Sequence, residues 1–405
     1  MRRYTIAVII VIIAVVCAAV AIAYHEEKAP RALKTSSMTG HILGKTIIVN
    51  ETDKYITIKD VAGRIVRVPR NVTRIVAIGP SALRLVVYVN ATDKIVGIEG
   101  CEKFWKRWPR LYIKAHPELL KLPIIGTGGP KGILAAANPE EIVKLHPQVI
   151  FTTYGGWGDI GQVEEFEKRV GVPVVVIGVG GSYGGTHYCS SFNLTVLCKS
   201  LEILGVVLGK EKRALSVIKF VRECVNDLGN RTAGIPESEK PTVYVGGIRF
   251  KGAYGILSTY SLYPSFYLVH ARNVARKTGY LGHLFVSKEA LLKWNPEYIF
   301  ISEGGLRIVL ADFKREPSFY ESLAAFKNGR VYGIFPFHNY GASPGIILAD
   351  AYFMGKVLYP SKFKDVNPIE KANEIFKFLV GVDNGYQILA KAYGGFIKIN
   401  FTTPS

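Results

Sequence analysis

Cysteine is scarce: five in 405 residues, none in a CxxC pair, which excludes a disulfide scaffold and a zinc ribbon. Acidic residues are outnumbered, 32 Asp and Glu against 51 Lys and Arg, giving a formal net charge of +19. A body so basic attracts anions, whether nucleic acid, anionic lipid or an acidic ligand. No arginine-rich tail and no RNA-binding aromatic motif accompanies the charge, so nucleic acid is not the expected partner. GxxxxGK followed by Ser or Thr is missing, so the chain is not itself an ATPase. GTGGPKG (126–132) and GVGGSYGG (178–185) contain Gly-x-Gly-Gly but miss the third glycine of a dinucleotide fingerprint by spacing.

What is present begins with an export signal. After Met-Arg-Arg, residues 4–24 carry no charge, and about 20 apolar residues suffice to span a bilayer as a helix. The arginines keep the N-terminus inside and the rest outside, so residues 1–24 read as a transmembrane anchor or a secretory signal. Cys17 follows Val16, where a lipidated cysteine would need a small residue. Residues 25–45 are polar and irregular and read as a tether. Asn-x-Ser/Thr occurs at Asn50, Asn71, Asn90, Asn193, Asn230 and Asn400, as suits a glycosylated protein of the cell exterior.

From 46 to 190, a short hairpin (YITIKD, GRIVRVP) precedes apolar strands that alternate with amphipathic helices: TRIVAIG, DKIVGIEG, LPIIGTGG, QVIFTTYGG and VPVVVIGVGG. Strands apolar throughout mean a parallel sheet covered on both faces. Residues 191–230 read as one long helix. A second α/β half fills 231–405 and repeats the first: NPEEIVKLHPQVIF (138–151) and SKEALLKWNPEYIF (287–300) match at Lys144/Lys293, Pro147/Pro296, Ile150/Ile299 and Phe151/Phe300. The expected fold is α/β, two Rossmann-like parallel-sheet lobes joined by the long helix.

Ligands of open parallel sheets lie beyond the carboxyl ends of the strands. Each glycine-rich loop here follows a strand: 126–132, 153–159, 178–188, 246–255, 302–305 and 336–341. Tyrosine and tryptophan supply flat, amphipathic contact surface, so Tyr154, Trp157, Tyr183 and Tyr188 are candidates for one wall. Arg249, Lys251, Tyr254 and Tyr260 are candidates for the other, with Phe337 and His338 at the rim. Arg249 and Lys251 alternate on an extended piece and would neutralise an anionic ligand. His187 and His338 are the histidines of these loops that would meet a ligand's metal or acidic groups. Ser81, after Gly79-Pro80 at a strand-to-helix turn, caps the helix or binds an anion there. Cys101 and Cys189 could pair outside the cell, which the sequence leaves open.

KDVAGRIVRVPRNVTRIVAIGPSALRLVVYVNATDKIVGIEG, ANPEEIVKLHPQVIF, VSKEALLKWNPEYIFIS and NPIEKANEIFKFLVG together resemble the substrate-binding proteins of ABC importers. The resemblance, over residues 47–395, is to the class with a rigid interlobe helix that takes ferric siderophores, haem and cobalamin. The glycine loops look closest to archaeal members that handle iron complexes. It implies capture of an iron chelate, siderophore, haem or corrinoid-like, without catalysis or resident cofactor, and delivery to an ABC permease with its ATPase. In that class an acidic residue on each lobe docks onto the permease. Glu289 matches on the second lobe, while the first-lobe position carries Arg84, leaving Glu140 as another candidate. A binding protein for a bare metal ion and an anchored extracellular enzyme are the alternatives.

Overall fold

The structure, a computed structural model, describes residues 47–105, 108–129, 132–153, 160–180, 192–249 and 252–401. The charge-free stretch 4–24, the tether, and the loop residues Tyr154, Trp157, Tyr183, His187, Tyr188, Cys189 and Lys251 lie outside them. Among the described residues no helix is long and apolar enough to cross a membrane.

Alternating apolar and polar side chains give YITIK and IVRVP one buried face each. β1 (Ile48–Glu51), β2 (Tyr55–Lys59) and β3 (Ile65–Pro69) form an antiparallel sheet, with the expected hairpin as its β2–β3 pair. Its turn is held by Asp60, whose Oδ1 accepts from the Ala62 and Arg64 amides at 3.0 and 2.9 Å.

The first lobe then alternates as the apolar runs require. β4 (Ile75–Ile78), α1 (Ala82–Tyr88), β5 (Ile95–Gly97), α2 (Pro139–Lys144), β6 (Val149–Thr152), α3 (Ile160–Val170) and β7 (Val174–Val176) build a parallel sheet ordered β5-β4-β6-β7. β4, β6 and β7 are buried along their whole length, the signature of a sheet covered on both faces. LPIIGTGG differs from expectation: it contributes a single parallel bridge, Ile98 to Ile124. Pro123 has no amide to extend a ladder, and Gly126 and Gly128 turn the chain away at positive φ.

The joining segment is also corrected. It is two helices, α4 (Leu194–Leu208) and α5 (Glu211–Thr232), not one. Gly209 ends α4 in the left-handed conformation, φ 63°, where glycine carries no Cβ penalty. Gly205 lets α5 lie close, since a Cβ there would stand 2.7 Å from that of Ala214.

The second lobe runs β8 (Thr242–Gly246), β9 (Ser258–Tyr260), β10 (Arg272–Asn273), β11 (His283–Phe285), α6 (Lys288–Trp294), β12 (Tyr298–Ser302), α7 (Leu306–Arg315), β13 (Val331–Ile334), α8 (Pro344–Leu358), α9 (Pro368–Val380) and α10 (Gly385–Tyr393). Its parallel sheet is ordered β10-β8-β12-β13, and β9 and β11 pair antiparallel beside it. The repeat seen in the sequence has a structural counterpart. Asn138 caps α2 by accepting from the Glu140 and Glu141 amides, and Ser287 caps α6 through the Ala290 amide. In each lobe the following strand, β6 or β12, pairs with the lobe's first strand.

Candidate functional site

The carboxyl ends of the two sheets meet through one loop of the second lobe, residues 335–342. Its far half reaches the first lobe. Ser81 donates its amide to the Tyr340 carbonyl at 3.1 Å and its hydroxyl to the Ala342 carbonyl at 3.0 Å. Arg84 donates to the carbonyls of Ala342 and Asn339 and to Ser81 Oγ, and its guanidinium lies 4.9 Å over the Tyr112 ring. Gly341, at φ 84°, lies tight against the first lobe: a Cβ there would stand 2.1 Å from Ser81 Oγ.

Glu99, at the end of the β5 segment, completes this seam. Its Oε2 accepts from the Tyr340 hydroxyl at 2.6 Å and the Gly79 amide at 2.9 Å. The Tyr340 hydroxyl in turn accepts from the Gly129 amide at 3.2 Å, and Trp105 meets the Tyr340 ring edge-on at 5.5 Å. Burial pushes the Glu99 carboxyl up to about 8, the Tyr340 and Gly79 bonds only partly offsetting it. Glu303, in the SEGG loop after β12, is likewise raised to about 8 by burial. Both glutamates precede a glycine at a strand's carboxyl end, a signal in the sequence that went unused.

The near half of the loop packs into an aromatic lip on the second lobe. His338 contacts Phe337 at 4.4 Å between ring centroids and stacks on Tyr260 at 6.4 Å. Tyr260 and Phe337 are each 2% exposed, so their rings act as the bed for His338 rather than as open wall. His338 Nε2 is enclosed without a hydrogen-bond partner among the described residues. Burial, with the Arg84 and His283 charges, lowers His338 to about 4, so the imidazole is neutral at pH 7. His283 is lowered to about 4 by burial, its Nε2 lying 2.8 Å from Ser258 Oγ. Tyr254 meets Phe285 edge-on at 4.8 Å and lies 6.5 Å from the His283 ring.

Arg249 lies 5.3 Å over Trp108, which stacks on Tyr393 at 4.7 Å and 10°. This layer again joins the lobes, because Trp108 belongs to the first and the other two to the second. Gly304 permits it: a Cβ there would stand 2.3 Å from Arg249 Cδ. The sequence therefore singled out Arg249, Tyr254, Tyr260, Phe337 and His338, which the structure brings to one region. It passed over Glu99, Trp105, Trp108, His283, Phe285, Glu303, Tyr340 and Tyr393.

Other expectations change. Ser81 does not cap α1: it sits at the N-cap at φ 80° with no side-chain cap, and its hydroxyl serves the seam instead. Arg84 is 3% exposed and turned inward, so it offers no surface to a partner. Glu289 and Glu140 are exposed on their helices, and all six sequon asparagines are exposed. Cys101 is a buried free thiol. Gly341-Ala342-Ser343-Pro344-Gly345 has the GxSxG spacing, which the sequence reading overlooked. Ser343 is the N-cap of α8 at φ −107°, beside the Tyr88 hydroxyl, without the strained turn of a nucleophile elbow. Among the described residues no three His, Cys, Asp or Glu gather to hold a metal ion.

Residues 75–336 match the family model for periplasmic binding proteins, and the chain belongs to that family. It is 25% identical over 358 residues, 84% of this chain and 93% of the relative, to the molybdate-binding protein MolA of Haemophilus influenzae. It is 21% identical over 311 residues, 76% of this chain and 87% of the relative, to an uncharacterized ABC transporter substrate-binding lipoprotein, YvrC, of Bacillus subtilis. A structure of MolA with molybdate superposes with a TM-score of 0.63 at 21% identity, covering 80% of this chain and 97% of that one. The TroA-like binding protein FepB of Veillonella parvula superposes with a TM-score of 0.59 at 24% identity, covering 80% and 96%.

Proposed function

From that family membership, we propose that the protein is an extracytoplasmic substrate-binding protein that captures a compact anionic iron chelate between its lobes and delivers it to an ABC permease. The single observation that carries the ligand class is the join between lobes. There Arg249, Trp108 and Tyr393 form a cationic and aromatic layer beside the His338 lip. Flat apolar contacts with one fixed charge suit a compact anionic complex with apolar faces. Neutral His338 and His283 add donors for its polar periphery. Residues 1–24 would anchor the protein. The exposed sequons support glycosylation, and exposed Glu289 and Glu140 support docking onto the permease.

A second reading, a bare oxyanion, is favoured by the relative named for molybdate. Titration of the purified full chain with a ferric tris-catecholate and, separately, with molybdate tests the choice through quenching of tryptophan fluorescence. Saturable quenching by the ferric complex, with charge-transfer absorbance retained through gel filtration, is the expected result. Saturation by molybdate alone would replace the chelate reading with the oxyanion one. Response to neither would remove this ligand class.

A further inference from the structure

Behind the seam, on the side of Arg84 that faces helices α8 to α10, the lobes form a partly open cavity of about 30 Å³. Arg84, Tyr88, Arg110 and Tyr112 line it from the first lobe, Asn339 and Ser343 from the second, and apolar side chains of α8, α9 and α10 complete the wall. Its charges do not balance. Glu102 is the carboxylate of the cluster, paired with Arg110 at 3.0 Å and accepting from the Tyr112 hydroxyl at 2.8 Å. Arg84 has only carbonyl and hydroxyl acceptors and no ion pair among the described residues. Arg110 is 7% exposed, and its Nη1 is buried without a hydrogen-bond partner among the described residues. Two guanidinium groups thus share one carboxylate, and burial raises that carboxyl toward its neutral form.

An uncompensated buried cation with unused N–H donors is costly to desolvate, and an anion in the same space removes much of that cost. We propose that this cavity is a second ligand site, which takes one small monovalent anion of halide size between Arg110 and Arg84. The volume holds one or two water-sized spheres, room for an ion the size of chloride or bromide. The apolar wall favours a weakly hydrated ion. Because both lobes line the cavity, the anion stabilises their junction, and this holds whichever ligand the main site takes.

The test uses the full chain with chloride, bromide or gluconate as the sodium salt at equal ionic strength. Thermal unfolding should rise by a few degrees and saturate with chloride but not with gluconate. The 35Cl resonance should broaden with protein, and bromide should reverse the broadening. Equal melting in chloride and gluconate, with no broadening, overturns the proposal. Replacing the charged pair together, Arg110→Leu with Glu102→Gln, should abolish the broadening while circular dichroism stays native. Ile346→Phe fills the cavity from its apolar wall and should do the same without touching a charge. Full broadening in either folded variant overturns the site.

Discussion

The two halves of loop 335–342 hold their surroundings by opposite means. Asn339 to Ala342 meet the first lobe through directed bonds: Ser81 and Arg84 donate to backbone carbonyls, and the Tyr340 hydroxyl donates to Glu99. Phe337 and His338 meet the second lobe through ring contacts with Tyr260 and Tyr263. Directed bonds between buried groups fix one geometry, and losing one partner leaves the other unsatisfied. Ring packing tolerates exchange of similar volume. The seam therefore sets how the lobes meet, and the lip is free to vary with the ligand.

The largest test of this difference is Gly341→Ala. The new Cβ would collide with Ser81 Oγ and stand 2.6 Å from the Pro80 carbonyl carbon, at a φ that alanine resists. A loss of roughly 3 kcal/mol or more is expected in urea unfolding. A loss below about 0.5 kcal/mol, the range of an ordinary surface change, would show that the seam yields as easily as the lip. Arg84→Leu comes next. It strips donors from the Asn339 and Ala342 carbonyls, and about 2–3 kcal/mol should be lost. On the lip, exposed Phe285→Ala should stay within about 0.5 kcal/mol in the same measurement.

The contrast explains what the sequence made legible. Strand and helix order follow from burial periods, so β4, β6, β7 and the repeated helix-strand unit were readable from VAIG, VIFT and NPEEIVK. The lip was partly readable, because glycine and aromatic residues cluster after strands. The seam was not. Its bonds run between residues about 240 to 260 apart, such as Glu99 to Tyr340 and Ser81 to Ala342, and mostly end on carbonyls, which carry no residue identity. Arg84 illustrates the loss: its chain position suggested a surface contact, and only the fold shows it turned inward. The break at Gly209 was visible as a glycine, yet the apolar period runs through it on both sides.

Buried carboxyls give a pH test of the seam. Glu99 moves from an ordinary 4.5 to about 8 on folding, and Glu303 does the same. The folded state then holds protons that the unfolded state has released. Their stabilising contribution is full below about pH 4.5 and is lost as pH rises through about 8. Each group adds a slope of about 1.4 kcal/mol per pH unit across that window. Glu99→Gln should remove one group's share of the slope between pH 5 and 8, read as unfolding midpoints at each pH. An unchanged slope would mean that the Tyr340 bond holds Glu99 ionised.

The smallest effect on folding should come with a clear effect on binding. Tyr254 is half-buried and rests its ring against Phe285, itself 57% exposed, so little packing depends on it. Tyr254→Ala should move the unfolding free energy by no more than about 0.5 kcal/mol. Losing one aromatic contact with a bound complex costs about 1–1.5 kcal/mol, close to tenfold in affinity, measurable by fluorescence titration with the ferric catecholate. Phe337→Leu reverses the pattern, since that ring is buried under His338 and supports the lip without facing a ligand. It should lower stability by about 1 kcal/mol and weaken binding only as far as His338 shifts. Equal losses of binding and stability in both variants would mean that the lip, like the seam, is structural, and that the ligand is held by the glycine loops and Arg249 alone.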